Sequence, residues 1–511
     1  MNNIPRKRVL SILLLAAFFA TACTKIWDEH YNEENFDLPD YALYDYIQSQ
    51  GDLSIFAGML QSTGYDTILN ASQTFTVWAP TNDALAGVDI ANEALVKTIV
   101  QNHIARNRYS TSNVMMESIL MLSGKHIELD RMADGFRFGE KSMVNSDIPA
   151  TNGLVHTISN YVPYVRNIWE YIGSGETIDS LRTYMLSQTE SVFRPDLSVE
   201  IEVNEDGNPV YDSVYVISNV VLDKLGDLAS EDTVYTVLLP NDNAWNLAYN
   251  KLQQYYNIPE IFGGATRKRD LIRWNIVKDI AFSGLVDEPA LLDSAVSTSR
   301  TIFQNPAYLF EGANQVKLSN GLAYVTNELA FPDTVSWIHE IRIEAESTVG
   351  RSNVNSNIFG RSDNNAGVSN KRYILVEPTG TSNIALSSVT FSIPNTLSAS
   401  YNIYCVFVPT AFSNPTDLLP MKPKFVLTYL RQTEGRTSRK NFIPEVSTTD
   451  PNGITKLFVG EFDFEFANII DEDYSDVVVT FEVTSDVKID QTDTYNRSMR
   501  IDCIILEPIL K

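Results

Sequence analysis

The sequence predicts a multidomain protein in which two α+β domains are followed by an all-β sandwich. Its length of 511 residues corresponds to roughly two to four domains, and its hydrophobic content of 44% is sufficient for packed cores. One pattern occurs twice, as TFTVWAPTNDAL from Thr74 and as VYTVLLPNDNAW from Val234. Beyond Pro332, short alternating runs of β-branched and aromatic residues replace helical periodicity.

Residues 1–22 have the features of a targeting segment. A basic cluster at residues 6–8 precedes an apolar run, Val9–Ala20, that is too short to span a bilayer. The run is followed by ATAC, which ends at Cys23. Small residues before a lone cysteine resemble the lipobox of bacterial lipoproteins, which implies cleavage before Cys23 and its acylation. A plain signal peptide and a buried N-terminal helix are the alternatives.

The segment that follows predicts a membrane-proximal tether. Several acyl chains on Cys23 would anchor the protein stably, and Thr24, in place of the aspartate typical of inner-membrane lipoproteins, favours the outer membrane. Residues 23–35 are acidic and polar, as in a lipidated tether, although Trp27 and Tyr31 leave packing on the first domain as an alternative.

The repeated pattern predicts a strand that runs directly into a capped helix. Thr74–Trp78 has strand composition, and Pro80 cannot continue a central ladder. Thr81 and the two residues after it are good N-cap residues. In the second copy the strand ends at Pro240, and residues 241–243 are the candidate caps.

Three signatures in the same order, present twice, resemble the fasciclin family. The repeated motif is the first signature. The second is the helical run ALVKTIVQNHIARN, which predicts one face formed by Leu95, Ile99, Val100 and His103, and the third is NGLVHTISNYVPY, from Asn152. The counterparts in the second copy are DLIRWNIVKDI and NGLAYVTNELAFP. The resemblance implies fasciclin-like domains at residues 36–165 and 166–335, both non-catalytic.

The second copy departs from this pattern in two respects. Asn275 stands where the alignment of signatures places His103. Additional strand-forming sequence between residues 194 and 226 predicts an inserted hairpin with its turn at Asp206-Gly207. On its apolar face, His103 is expected to be a buried residue that hydrogen-bonds within the core.

Residues 336–511 predict the β-sandwich. Its first strand, IRIEAES, and its last, RIDCIILEP, resemble the ends of a jelly-roll carbohydrate-binding module. The resemblance implies carbohydrate binding and a structural calcium ion held by Glu344, Glu346 and Asp502. Since residues two apart in a strand face the same side, Glu344 and Glu346 should point together; edge-strand charges facing water are the alternative.

Other features of the chain have less specific interpretations. Cys405 and Cys503 lie in apolar runs and are either buried free thiols or a disulfide. The acidic run DEDYSD, from Asp471, is a solvated loop or a cation site, and the basic run TRKRD, from Thr266, is a solvated helix face or an interaction patch. The candidate sugar-binding aromatics of the sandwich are Trp337, Tyr373, Tyr401, Tyr404, Tyr429 and Tyr474.

These features favour a surface binding protein. The formal net charge of −25 argues against a nucleic-acid partner. No two of the five histidines have metal-ligand spacing, and no catalytic motif is present, so an enzyme is not expected. The architecture resembles accessory lipoproteins that bind glycans or peptides beside a TonB-dependent, SusCD-like transporter. An adhesion protein that binds a protein or matrix partner through its fasciclin domains is the alternative.

Overall fold

The structure, a computed structural model, describes residues 40–510 except 175–176, 195, 197–198, 204–208, 213, 366 and 433. The predicted signal peptide, Cys23 and the tether therefore lie outside the described residues. The chain forms two compact units, of which the first ends at Arg166 and the second begins at Asn167. None of the helices in the described ranges combines the length and apolar character that a bilayer crossing requires.

The first unit packs short helices against one mixed sheet. The helices are α1 (Leu43–Ser49), α2 (Ser54–Ser62), α3 (Tyr65–Leu69), α4 (Asn82–Leu85) and α5 (Glu93–Asn102). The strands are β1 (Phe75–Pro80), β2 (Ile104–Arg106), β3 (Met116–Leu120), β4 (His126–Met132), β5 (Gly135–Phe138), β6 (Lys141–Ala150) and β7 (Gly153–Ile158), in the sheet order β2-β1-β7-β6-β5-β4-β3.

The predicted strand-to-helix motif is present in this unit. β1 ends at Pro80, and the side chain of Thr81 accepts a hydrogen bond from the Ala84 N–H at the start of α4. On α5 the buried face consists of Val96, Ile99 and Val100 rather than Leu95, which is exposed. The predicted face is wrong by one residue, Leu95 in place of Val96. A period of 3.6 residues allows either of these neighbours to lie on the same face as Ile99.

The second unit begins with an α+β domain of the same plan. Its helices are α6 (Ile168–Ser174), α7 (Asp179–Ser187), α8 (Val220–Leu225), α9 (Asp242–Leu252), α10 (Gly264–Val277), α11 (Ala307–Phe310) and α12 (Asp333–Ser336). Its main sheet contains β12 (Tyr235–Pro240), β13 (Ala281–Ser283), β16 (Asn314–Leu318) and β17 (Gly321–Thr326), in the order β13-β12-β17-β16. β14 (Ser294–Val296) and β15 (Ile302–Gln304) form a separate pair.

The inserted sequence of this domain forms two ribbons. β8 (Thr189–Phe193) pairs with β11 (Tyr215–Asn219), and β9 (Val199–Val203) pairs with β10 (Pro209–Asp212), both antiparallel. The turn predicted at Asp206-Gly207 lies outside the described residues, between the paired strands β9 and β10.

The two α+β domains share specific hydrogen bonds as well as a plan. In the first, the side chain of Asn152 accepts from the Leu43 N–H and donates to the carbonyls of Leu69 and Ala71. In the second, Asn320 makes the same three bonds, to Ile168, Leu228 and Ser230. An asparagine thus joins the first helix, the loop before the central strand and the closing strand in each domain.

The glycine after each of these asparagines is required by close backbone contact. A Cβ atom on Gly153 would lie 1.8 Å from the carbonyl oxygen of Phe75, and one on Gly321 would lie 1.8 Å from that of Tyr235. The parallel strands β1 and β7, and likewise β12 and β17, could not pair in this register with a larger residue.

The strand register corrects the equivalence assigned to His103. The Trp78 N–H donates to the carbonyl of His103, and the corresponding Leu238 N–H donates to that of Ile280. His103 therefore corresponds to Ile280 rather than to Asn275. His103 follows the end of α5, whereas Asn275 still lies within α10. The expectation that His103 is a buried core residue is confirmed: it donates from Nδ1 to Ile99 O and accepts at Nε2 from the Val162 N–H.

Residues beyond α12 form a sandwich of two antiparallel sheets, with no α-helix in their described part. The strands are β18 (Ile341–Glu344), β19 (Arg351–Val354), β20 (Ser356–Ser362), β21 (Arg372–Pro378), β22 (Ser388–Ser392), β23 (Ser400–Phe407), β24 (Pro423–Leu430), β25 (Thr437–Phe442), β26 (Thr455–Asp463), β27 (Thr480–Ser485) and β28 (Met499–Ile509). The sheets have the orders β20-β21-β28-β23-β26, with β18 also on β28, and β19-β22-β27-β24-β25.

The sandwich and the second α+β domain share one core. A continuous cluster of buried apolar side chains extends from Ile168 to Leu506. The boundary predicted between residues 335 and 336 falls inside α12, and the adjoining Trp337 and Ile338 are buried. The second unit is therefore a composite of two fold types.

Candidate functional site

The first and last strands of the sandwich bring the three predicted carboxylates to one turn. β18 pairs antiparallel with β28, so that Glu344 lies opposite Cys503. Ser369 donates from its backbone N–H to Asp502 at 3.1 Å and from Oγ to Glu344 Oε1 at 2.7 Å. Asn370 Nδ2 lies 3.5 Å from Glu346 Oε1.

The strand argument for this pair is wrong in one respect. β18 ends at Glu344, and Glu346 lies in the turn that follows. The Ala345 N–H still bonds to the carbonyl of Asp502, and Ala345 is buried, which keeps Glu346 beside the same turn.

The electrostatics of this cluster are unfavourable at neutral pH. Burial raises the pKa of Asp502 to about 6; the Ser369 N–H opposes this rise, and the charges of Glu344 and Glu346 add to it. Oε2 of Glu344 and Oε2 of Glu346 are buried and make no hydrogen bond. A bound cation or a proton would reduce the repulsion among these carboxylates.

The donor set fits calcium by its chemistry, since calcium prefers carboxylate and carbonyl oxygens. The two unpartnered glutamate oxygens are the observation in favour. In the arrangement described, however, no three His, Cys, Asp or Glu side chains within the described ranges come together to hold a metal ion. Ser369 bridges Glu344 and Asp502 instead. Calcium is therefore a proposal, in which Glu344, Glu346 and Asp502 would supply the carboxylate oxygens.

A cleft of about 980 Å³ lies inside the second unit, between its α+β domain and its sandwich. One wall is the face of α10 that carries Thr266, Asp270 and Trp274, which are spaced four residues apart. The segment 339–343 and the sandwich loops at residues 394–397 and 469–474 also line the cleft. Trp274 is half-buried, and the ammonium of Lys224 lies 5.1 Å from the centre of its ring.

Arg267 fixes one end of this cleft. Its guanidinium donates to Asp471 Oδ2 at 2.6 and 3.0 Å and to the carbonyls of Phe262 and Ile469. It also lies 4.1 Å from the centre of the Tyr474 ring. The interpretation of the basic run as a solvated face is thus wrong for Arg267, which is buried, and Asp471 of the acidic run is its ion-pair partner.

Further contacts between the domains hold the two walls together. Trp337 Nε1 donates to the carbonyl of Asn275 at 3.1 Å. Asn257 accepts a hydrogen bond at its carbonyl from the Ala467 N–H and donates from its own N–H to Ser398 Oγ. These bonds connect an α+β domain and a sandwich that are far apart in sequence, and they define a preformed site.

The aromatic and sulfur side chains of the sandwich are mostly structural. Trp337, Tyr373 and Tyr401 are buried, whereas Tyr404, Tyr429 and Tyr474 are half-buried. Cys405 and Cys503 are both buried and free. Cys405 belongs to the core between the sheets and Cys503 to a cluster on the other face of its sheet, which explains why they do not pair.

Sequence reasoning missed several residues that organise the two α+β domains. Asn102 and Asp279 are buried hubs at equivalent positions, each bonded to the segment that leaves its domain: Asn102 to the Val162 carbonyl and Asp279 to Ser336. Recurrence of Asn before Gly could have indicated Asn152 and Asn320. Nothing in the local sequence distinguishes Trp274 from other helix-surface residues.

Comparison with known proteins supports the predicted fold of the first domain. Residues 51–162 match the Fasciclin domain model. The first domain is therefore similar to the Fasciclin domain over these residues. The likeness of the second domain to the first rests on the shared hydrogen bonds described above.

Curated relatives match a small part of the chain. Transforming growth factor-beta-induced protein ig-h3 of Sus scrofa is 24% identical over 129 residues, which are 24% of this chain and 19% of the relative. Periostin of Homo sapiens is 28% identical over 129 residues, 23% of this chain and 15% of the relative. Protein sll1483 of Synechocystis sp. is 27% identical over 105 residues, 18% of this chain and 57% of the relative. The chain thus spans less than two thirds of each of these relatives.

Solved structures show similarities at low identity. A FAS1 domain pair from the insect cell adhesion molecule Fasciclin I is 14% identical, with a TM-score of 0.21, over 56% of this chain and 99% of that one. A xylan-binding domain of the CBM 22 type is 12% identical, with a TM-score of 0.21, over 32% of this chain and 92% of that one. Scores this low do not establish a common fold.

Proposed function

We propose that this protein is a non-catalytic lipoprotein of the outer-membrane surface that binds glycan or peptide ligands. The observation that carries the binding function is the preformed cleft of about 980 Å³ in the second unit. A volume of this size suits an oligomeric ligand, and boundaries between domains are frequent ligand sites. The walls carry an aromatic ring together with amide, hydroxyl and charged groups, as binding of a polar polymer would require.

The proposed anchor and the proposed role fit together. Acylation of Cys23 would hold the chain at the membrane, and the acidic tether would lift the first fasciclin domain from the surface. The ligand would then be presented to a TonB-dependent, SusCD-like transporter as an accessory step of nutrient uptake. Calcium held by Glu344, Glu346 and Asp502 would have a structural part in this proposal.

A glycan and peptide array tests the binding function directly. The full chain, solubilised in mild detergent, is applied to both classes of ligand, and bound protein is detected with an antibody. Saturable binding to one class supports the proposal. Absence of binding to every glycan and peptide would contradict it and favour the alternative.

The alternative is adhesion through the fasciclin domains. One observation favours it: Met116, Leu120 and Met132 are exposed on one face of the β3–β4 sheet in the first domain. Single exposed apolar residues are ordinary, but a group on one face is typical of a protein interface. Replacing Met116 and Leu120 by aspartate should abolish retention of the full chain on immobilised matrix proteins if adhesion is its function. Unchanged retention would contradict this alternative.

A further inference from the structure

We propose that the ligand is an uncharged saccharide and that the second α+β domain, through Trp274 on α10, supplies the ring on which it stacks. This inference rests on the proposed binding function and assigns it a place and a ligand class. The site would be composite, because the sandwich supplies the opposite wall and neither domain alone encloses the cleft.

The distribution of aromatic rings favours Trp274. A sugar needs an accessible flat ring for its apolar face. Among the aromatics of the sandwich, Trp337, Tyr373 and Tyr401 are buried. Tyr404 and Phe458 form a partly exposed pair, but neither residue lines the cleft. Tyr474 lines it, but its ring packs against the buried guanidinium of Arg267, 4.1 Å from the ring centre.

Trp274 has the required exposure and surroundings. It is half-buried, so its ring is held by the helix and still reaches the cleft. Asp270 and Thr266, one and two turns earlier on the same face, are exposed and offer hydrogen-bonding groups in a row with the ring. A ring followed by polar groups along a helix suits successive sugar units.

The charges of the cleft favour an uncharged ligand. The charge of Arg267 is neutralised by Asp471, and that of Arg342 by Glu340, whose Oε1 lies 3.1 Å from the guanidinium. The remaining charged groups of the lining are one positive side chain, Lys224, and two negative ones, Asp270 and Asp473. This balance offers no concentrated positive field for an acidic polymer, and the net charge of −25 for the chain repels one at long range.

The walls are fixed before the ligand arrives, which favours binding because little ordering is needed. Arg267 holds one end through four hydrogen bonds, and the bond from Trp337 to Asn275 holds the wall next to Trp274. A ligand that stacks on Trp274 would therefore meet the sandwich loops without rearrangement of either domain.

Titration of the full chain with uncharged hexasaccharides of glucose, xylose and mannose, followed by calorimetry, tests this inference. The wild type should bind at least one of these saccharides, and W274A should raise the Kd for that saccharide at least about tenfold. W274F, which keeps a ring, should retain most of the affinity. The matched control is W169A: Trp169 is also half-buried and belongs to the same domain, but it is not in the cleft.

A second variant fills the cleft without removing the ring. Thr266→Trp adds bulk at an exposed position of the lining, and Ala265→Trp adds the same bulk at an exposed neighbour outside it. Loss of binding in the first and retention in the second would support the assigned place even if W274A folded poorly.

The outcomes separate this inference from the proposed function. Saccharide binding that is unchanged in W274A and in Thr266→Trp overturns the assigned site and leaves the binding function standing. Binding of peptides but not hexasaccharides, lost in the same variants, overturns the ligand class. Binding of neither class by the wild type contradicts the proposed function itself.

Discussion

The carboxylate cluster at the sandwich end predicts that the second unit loses stability as the pH rises from about 4 to about 6. Burial raises the folded pKa of Asp502 from 3.8 to about 6. In that window the folded state holds a proton that the unfolded chain has already released, so the free energy of unfolding falls with increasing pH. The difference in pKa corresponds to about 3 kcal/mol. This is an upper bound, because the exposed turn at Asn370 lets solvent screen the charges.

Asp502→Asn isolates this effect. The amide carries no charge but keeps an oxygen that can accept from the Ser369 N–H, as Asp502 does now. The variant should therefore lack the fall in stability between pH 4 and pH 6. At pH 7 without calcium it should be at least as stable as the wild type. Asp490→Asn, at an exposed position of the same sandwich, is the matched control and should behave like the wild type.

Calcium provides the second arm of the same experiment. If Glu344, Glu346 and Asp502 hold the ion, calcium at one hundred times its Kd should add about 2.7 kcal/mol to the free energy of unfolding at pH 7. The gain should shrink at pH 4.5, where a proton competes with the ion at Asp502, and should be strongly reduced in Asp502→Asn.

Differential scanning calorimetry of the full chain is the appropriate assay. The sandwich shares its core with the preceding domain, so an excised fragment would not report its native stability. A shift of about 3 kcal/mol should move the transition of the second unit by on the order of 5 °C. Equal melting temperatures with calcium and with chelator at pH 7 would remove the metal site. A wild-type pH profile identical to that of Asp502→Asn would refute the electrostatic reasoning.

Three further predictions concern the anchor, the close strand contact and the domain junction. Cys23→Ala should move the protein from the membrane fraction to the soluble fraction on cell fractionation; unchanged partitioning would mean that something other than lipid holds it. Gly153→Ala should destabilise the first unit in chemical denaturation by at least about 2 kcal/mol, because its Cβ would meet a carbonyl of the parallel strand, whereas Gly58→Ala, at an open helical position, should stabilise it by up to about 1 kcal/mol. Arg267→Ala should destabilise the second unit by about 2–3 kcal/mol, because it leaves the carbonyls of Phe262 and Ile469 without their donor, and a loss below 1 kcal/mol would show that these hydrogen bonds are dispensable.

Local patterns predicted much of the fold because the information they carry is local. A strand that ends at a proline and runs into an N-cap depends on a few adjacent residues, and Pro80 with Thr81 behaves as expected. The alternation of the sandwich strands was predictable for the same reason. The antiparallel pairing of β18 with β28 was not local information; the resemblance to a jelly-roll module implied it. The burial of His103 followed from its place on an apolar helical face.

The errors occurred where an element's end decides the outcome. Signature order matches Asn275 to His103, but α10 continues to Val277, so the residue that precedes the strand is Ile280. Similarly, β18 ends at Glu344, and the position of Glu346 is set by a turn rather than by strand alternation. Helix and strand ends depend on capping and tertiary contacts that a periodic pattern does not contain.

The cleft could not have been predicted, because each residue that builds it depends on a partner far away in sequence. Arg267 lies in a basic run at the start of a helix, and that context indicates a solvated face. Its partner Asp471 is 204 residues further on, in an acidic run that by itself also indicates a solvated loop. These two locally hydrophilic segments form an ion pair, with the arginine buried and the aspartate at the surface, only when the sandwich packs against α10. The same packing leaves Trp274 on this helix facing the space between the domains, so the docking of the two domains creates the site that neither sequence segment indicates.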